Sequence, residues 1–166
     1  MLKDKLRNKL QKSKLIVFDF DGIFTDGFVY LDQDGKETVR CSRRDSLGID
    51  MLKAAGLKII VISRKTNPVV EMRCQKMKIK CFSGIRDKLE TLKKIVNQSK
   101  ISPEEICYIG DDITDLECIT FAGVGITVNN APRELKNRAD YITSLNGGDH
   151  AVREICDLII KAKEKK

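Results

Sequence analysis

The stretch Leu15-Ile16-Val17-Phe18-Asp19-Phe20-Asp21-Gly22 constrains this chain more than any other. An apolar, β-branched run of this length suits a strand buried on both faces. It ends in two acids one residue apart, then a glycine. Buried carboxylates are costly unless they are paired, hydrogen-bonded or bound to metal. In open α/β sheets ligands sit just outside the carboxyl ends of the strands, where this pair falls. Asp19 and Asp21 are therefore predicted to build a metal-dependent phosphoryl-transfer site.

The rest of the chain supplies the sheet that such a site needs. Strands are predicted over Lys14 to Asp19, Leu57 to Ser63, Ile79 to Phe82, Ile106 to Gly110, Gly123 to Val128 and Tyr141-Ile142. Helical patterns lie between them: one capped by Asp45 or Ser46 that carries Leu47, Ile49, Met51, Leu52 and Ala55, one from Asn67-Pro68 to Met77, and one from Asp87 to Asn97. Ser102-Pro103-Glu104-Glu105 is a capping-box pattern holding a single turn. Further helices are expected up to Ala122, within Asn130 to Arg138, and from Asp149, with His150 at the start, to Lys163. Strands alternating with helices imply an α/β fold of three layers, a parallel sheet with helices on both faces. Residues 1–13, with Leu2, Leu6 and Leu10 on one stripe among basic residues, read as a short surface helix. Gly27 to Leu31 and Glu37 to Cys41 flank an Asp34-Gly35 step and predict a β-hairpin inserted after the first strand. A lone hairpin is marginal in water, so its apolar residues point to self-association.

Composition narrows the functional classes. A chain of 166 residues suits one domain, 1–166, with no linker or repeat. It has no apolar run of about 18 residues that could span a membrane and no apolar leader, so a cytoplasmic protein without membrane association is expected. The six cysteines show no C-x-x-C spacing and read as small core hydrophobes. The net charge of +7 is spread along the chain, and three tyrosines and six phenylalanines are the only aromatics. That pattern fits a small anionic substrate drawn to a positive cleft, and no nucleic-acid partner is expected. The closing lysines, Lys161, Lys163, Lys165 and Lys166, read as a solvated tail.

Taken together, the predicted strand ends deliver Asp19 and Asp21, then Ser63, then Asp111, Asp112 and, one turn later, Asp115. Lys88 opens the helix after a short strand. Three or more carboxylates at one sheet edge repel one another unless a hard cation with oxygen ligands sits among them, and Mg²⁺ suits such a set. An aspartate can attack phosphorus, while a second acid protonates the leaving oxygen and then activates water. Mg²⁺, Lys88, the Ser63 hydroxyl and backbone N–H groups after Asp19 are candidates to stabilise the transferring phosphoryl group.

With these residues in place, Asp19-Phe20-Asp21-Gly22-Ile23-Phe24-Thr25-Asp26 resembles the first motif of the haloacid dehalogenase-like phosphatases. Ser63, Lys88 and Gly110-Asp111-Asp112-Ile113-Thr114-Asp115 resemble the second, third and fourth. A narrower resemblance spans Leu15 to Leu158. It takes in Asp26-Gly27, the hairpin, Arg44-Asp45-Ser46-Leu47-Gly48-Ile49 and Gly147-Gly148-x-x-Ala151-Val152-Arg153-Glu154, and it points to the 3-deoxy-D-manno-octulosonate 8-phosphate phosphatase family. Phosphatases for nine-carbon ulosonic acids and domains attached to acylneuraminate cytidylyltransferases are related to it. The resemblance implies a Rossmann-like domain without a cap, and a homotetramer joined through a hairpin at 27–42, with active sites completed by a neighbouring subunit. It implies Mg²⁺ held by Asp19, the backbone carbonyl of Asp21 and Asp111. By the same likeness Asp19 is the nucleophile, Asp21 the acid and base, and Ser63 and Lys88 bind phosphate. Asp112 and Asp115 stand behind them.

The implied reaction is hydrolysis of an ulosonate phosphate, with 3-deoxy-D-manno-octulosonate 8-phosphate first, a nine-carbon 9-phosphate second, and a non-catalytic assembly domain as the rival from another class. Arg44, Lys65, Arg73 and Lys76 are the expected sugar contacts. The segment Ser63 to Pro68 lacks the glycine common after the hydroxyl residue, and family members vary here with the sugar they accept. Asp26 is expected to hold the turn before the hairpin.

Overall fold

The computed structural model describes residues 4–164; Leu2, Lys165 and Lys166 lie outside that range. The chain runs α1 (Asp4–Lys12), β1 (Leu15–Phe18), β2 (Tyr30–Leu31), β3 (Glu37–Thr38), α2 (Arg43–Ala54), β4 (Lys58–Ile62), α3 (Pro68–Met77), β5 (Lys80–Phe82), α4 (Lys88–Ser99), β6 (Ile106–Ile109), α5 (Leu116–Phe121), β7 (Val124–Thr127), α6 (Arg133–Lys136), β8 (Tyr141–Ile142) and α7 (Ala151–Lys163). Short 3₁₀ turns precede β6 and α5.

The six main strands form one parallel sheet in the order β5-β4-β1-β6-β7-β8. From β1 the chain first builds outward through β4 and β5, then returns to β6 on the other side of β1 and continues through β7 and β8. The direction therefore reverses between β1 and β6, and a crevice opens at their carboxyl ends. Right-handed crossovers put α2 and α3 on one face and α4 and α5 on the other. The terminal helix α7 packs on α2 and α1, closing the first face, while α4 packs on α5. Strands β1, β6 and β7 are buried at every residue, which accounts for their unbroken apolar sequences.

Most elements fall where the sequence places them, and two differ, the start of α2 and the hairpin. The cap of α2 is Ser42, whose hydroxyl accepts from the Arg44 N–H, and neither Asp45 nor Ser46 fills that role. Asp45 instead turns inward, where its Oδ1 accepts from the Arg153 N–H at 3.1 Å and ties α2 to α7. With the helix starting earlier, Leu47 faces solvent and is 54 % exposed. The hairpin pairs only Tyr30 with Thr38 and Leu31 with Glu37, far shorter than the two five-residue arms predicted. Its turn is held by the Asp32 carboxylate, which accepts from the N–H groups of Asp34 and Lys36. The single-turn capping box at Ser102 and the Asn67-Pro68 start of α3 are present as read.

Candidate active site

The acid loop leaves β1 and turns back at once. The Phe24 N–H bonds the carbonyl of Phe20, and Phe20 and Phe24 stack in the core beneath it. Those rings anchor a loop whose polar residues must then face the crevice. The Thr25 hydroxyl accepts from the N–H groups of Gly22 and Gly27, each at 3.2 Å. Gly22 stands with φ at +75°, and a Cβ there would fall 1.9 Å from Asp111 Oδ2. The β1 loop and the β6 loop thus touch through a residue that has to be glycine.

Lys88, at the start of α4, is the hub of the site. Its ammonium lies 2.9 Å from Asp19 Oδ2 and 2.7 Å from Asp115 Oδ1, with all three side chains almost wholly buried. Asp115 is filled on both oxygens. Oδ1 also accepts from the Tyr108 hydroxyl at 2.7 Å, and Oδ2 accepts from the N–H groups of Asp111 at 3.2 Å and Asp112 at 3.3 Å. Asp19, Asp111 and Asp115 each bring a carboxylate oxygen within 4.8 Å of the others. Because four donors already occupy Asp115, the carboxylate oxygens left for a cation are those of Asp19 and Asp111, beside Asp21, whose Oδ2 is buried without a hydrogen-bond partner. The Asp19 Oδ1 accepts from the Phe20 N–H at 2.7 Å, which fixes the carboxylate against the strand end.

The electrostatics say the same. Burial, then repulsion by Asp115, drives the Asp19 carboxyl well above the usual range, opposed by Lys88. Burial followed by Asp115 and Asp112 pushes Asp111 up to about 7. Burial also raises Asp21. For Lys88 burial favours the neutral amine, yet Asp19 and Asp115 outweigh it and hold the ammonium above its ordinary value. One buried cation among this many acids leaves a deficit of positive charge that a hard divalent ion at the Asp19, Asp21 and Asp111 oxygens would remove.

The crevice above these groups, about 530 Å³, is also lined by Ser63, Lys65, Asp112 and Thr114. Ser63 is buried after β4 and its hydroxyl accepts from the Lys65 N–H at 3.2 Å. Asp112 is exposed and caps its own turn, accepting from Ile113 N–H. Asp26 holds the hairpin take-off through the Phe28 N–H and lies 3.4 Å from Arg40. His150 starts α7 and its Nδ1 meets the Ser42 hydroxyl, away from the acids.

The expected sugar contacts separate. Lys65 lines the crevice, whereas Arg44 is exposed on the first turn of α2. Arg73 donates to the Ser42 carbonyl and the Ser46 hydroxyl, both at 2.7 Å, bracing α3 against α2. Lys76 borders a groove with Met72 on the outer side of α3. Sequence reasoning missed Tyr108 as a partner of Asp115; its one signal was a hydroxyl-bearing side chain inside the otherwise apolar strand β6.

Residues 65–155 match the family model of the haloacid dehalogenase-like hydrolases. A 3-deoxy-D-manno-octulosonate 8-phosphate phosphatase of Haemophilus influenzae is 34% identical over 161 residues, covering 96% of this chain and 89% of that protein. Its counterpart in Escherichia coli K12 is 32% identical over 158 residues, covering 95% and 84%. The crystal structure of the Moraxella catarrhalis phosphatase of the same name, in complex with magnesium ion, phosphate ion and KDO, superposes with a TM-score of 0.94 at 35% identity, over 96% of this chain and 92% of that one. This chain belongs to the haloacid dehalogenase-like hydrolases, in the family of the 3-deoxy-D-manno-octulosonate 8-phosphate phosphatases.

Proposed function

We propose that this protein is a Mg²⁺-dependent phosphatase that hydrolyses 3-deoxy-D-manno-octulosonate 8-phosphate. The observation that carries the reading is the buried Asp19–Lys88–Asp115 chain beside Asp21 and Asp111, in a fold shared along nearly the whole length with a phosphatase crystallised with magnesium, phosphate and KDO. A cobalt-bound relative from Haemophilus influenzae, 33% identical, adds a second divalent ion to the comparison. Bound Mg²⁺ would supply positive charge that neutralises the phosphoryl oxygens and keeps Asp19 and Asp111 ionised.

The residues divide the work. Asp19, held against the strand end by the Phe20 N–H and beside Lys88, attacks phosphorus to form an aspartyl-phosphate. Asp21, whose buried carboxyl keeps its proton more readily than a free one, gives that proton to the departing sugar oxygen. It then takes one from the water that attacks the acyl-phosphate, releasing phosphate and restoring Asp19. Lys88 and Ser63 hold the phosphoryl oxygens, and Asp115 with Tyr108 orients Lys88. Asp112 stands at the rim. Lys65 is the sugar contact within the chain's own crevice. Arg73 is engaged by α2 through one guanidinium nitrogen, and we read Arg44 and Lys76, which do not line this crevice, as contacts to a sugar in a neighbouring subunit's site.

The exposed row Phe28, Val29, Tyr30 and Leu31 supports assembly as a homotetramer through the hairpins. The six free cysteines support a reducing compartment, and we place the enzyme in the cytoplasm. No helix among the described residues is long and apolar enough to cross a membrane. We read residues 1–166 as one catalytic domain, with α1 as a basic surface helix.

Phosphate release from 3-deoxy-D-manno-octulosonate 8-phosphate and a nine-carbon ulosonate 9-phosphate, with and without Mg²⁺, tests the proposal. The eight-carbon substrate should be the better one, and Asp19→Asn should lower turnover by about 10⁴-fold or more. A preference for the nine-carbon ester would move the substrate. No Mg²⁺-dependent turnover on either, with Asp19→Asn matching wild type, would leave only a scaffold.

A further inference from the structure

The loop between β8 and α7 presses on the acid loop at Gly22, the residue that also meets Asp111. A Cβ on Gly147 would lie 1.6 Å from the Gly22 carbonyl oxygen and 2.6 Å from its carbon. Gly148, with φ at +73°, would meet the Asp26 nitrogen at 2.3 Å, and its own N–H donates to the Ile23 carbonyl at 3.0 Å. Gly22 in turn faces Asp111 Oδ2 so closely that no side chain fits between them. Asp111, Gly22 and Gly147 therefore stand in one file, with no slack at either junction. The Gly147 loop is itself fixed from behind, because its N–H donates to Asn130 Oδ1 at 2.9 Å, beside a second link from Asn129 to Asn146 at 3.0 Å.

We propose that Gly147 is a positioning residue for the metal gap: the file it closes sets how near the Asp21–Gly22 backbone comes to the Asp111 carboxylate. A methyl group at 147 has to open its 1.6 Å approach to the Gly22 carbonyl oxygen by about 2 Å before ordinary contact is regained. The neighbouring Asp21 carbonyl then swings with it, while Asp111 stays anchored through its N–H to Asp115. The effect reaches the cation through backbone that Gly147 never shares with it. The inference rests on the Asp19, Asp21 and Asp111 reading of the metal site.

Calorimetric titration of Mg²⁺ alone, together with the rise in melting temperature that Mg²⁺ induces, tests it without any turnover. Gly147→Ala should bind Mg²⁺ about tenfold more weakly than wild type, with the Mg²⁺-induced rise in melting temperature reduced in step. Gly56→Ala is the destabilising control away from the metal gap: its φ of +77° strains any added side chain, with open space around the methyl, at the opposite end of the sheet. It should lower the melting temperature and keep Mg²⁺ affinity within about twofold. Asn130→Ala removes only the tether from an exposed side chain, and should weaken Mg²⁺ by about threefold even if Gly147→Ala does not fold. Gly147→Ala or Asn130→Ala with wild-type Mg²⁺ affinity overturns the inference. If Asp19→Asn and Asp111→Asn also leave Mg²⁺ affinity unchanged, the metal site itself has been misplaced.

Discussion

The acid site and the hairpin leave the sheet from the same loop, yet they satisfy their side chains in opposite ways. At the site the buried ammonium and the two acids it bridges are met inside the chain. Lys88 bridges Asp19 and Asp115, Asp115 takes four donors, and Gly22 presses against Asp111. In the hairpin two residue pairs hold the ladder, and Phe28, Tyr30 and Leu31 each leave about two-thirds or more of their surface uncovered. A buried polar network left half-made is costlier than none, so the Lys88 network is made before any partner subunit arrives, and a divalent ion would complete the charge balance. Apolar side chains carry no such requirement and can wait for a second copy. The difference separates what the fold builds alone from what assembly adds.

The largest expected effect comes from breaking the site. Lys88→Met leaves two buried carboxylates without their cation, and removing one member of a buried ion pair costs about 3–5 kcal/mol. Denaturant unfolding in EDTA should show a loss of that size, with part of it recovered in Mg²⁺, and phosphate release should fall by about 10²–10³-fold. Unchanged stability would mean that the network does not hold the acid loop.

The hairpin should respond in another currency. Phe28→Lys with Leu31→Lys puts charge on the exposed row without touching a residue of the crevice. Light scattering should then give a monomer, and the melting temperature, which for an assembly climbs with protein concentration, should stop doing so. If neighbours complete the crevice, KM rises while the fold persists. A variant that still scatters as the wild type does would remove the hairpins from the interface.

The same contrast explains what the sequence could disclose. Asp19, Asp21, Ser63, Lys88 and Asp111 were legible because a parallel sheet brings all its carboxyl ends to one edge, so their positions follow from strand order alone. Tyr108 was not, since its partner Asp115 is set by the tilt of a 3₁₀ turn that no local pattern specifies. Arg73 reads as a free surface cation until α2 supplies the Ser42 carbonyl and the Ser46 hydroxyl, groups some thirty residues away in sequence. The cap of α2 moved from Asp45 to Ser42 for a related reason: the Arg153 N–H draws Asp45 inward, and a nearby serine takes the exposed start. Local rules find strand ends, and long-range hydrogen bonds decide which of several polar neighbours does the capping.

Asp45 gives the smallest effect and the sharpest test of how complete the interior is. It is 1 % exposed, its Oδ2 has no hydrogen-bond partner, and burial pushes its carboxyl up to about 6, against help from the Arg153 N–H, His150 and Arg73. The folded chain therefore keeps this proton to a higher pH than the unfolded chain does. Stability from this group is full below about pH 4, declines as the pH climbs toward 6, and is lost above it. Asp45→Asn keeps an oxygen for the Arg153 N–H but removes the charge. The variant should exceed wild type by about 1–3 kcal/mol at pH 8 and lose that advantage below about pH 4. Urea unfolding of both proteins across that range measures the difference directly, and acids that titrate identically in the two cancel. A variant less stable than wild type at pH 8 would show that the Arg153 N–H, Arg73 and His150 outweigh the burial of the Asp45 charge.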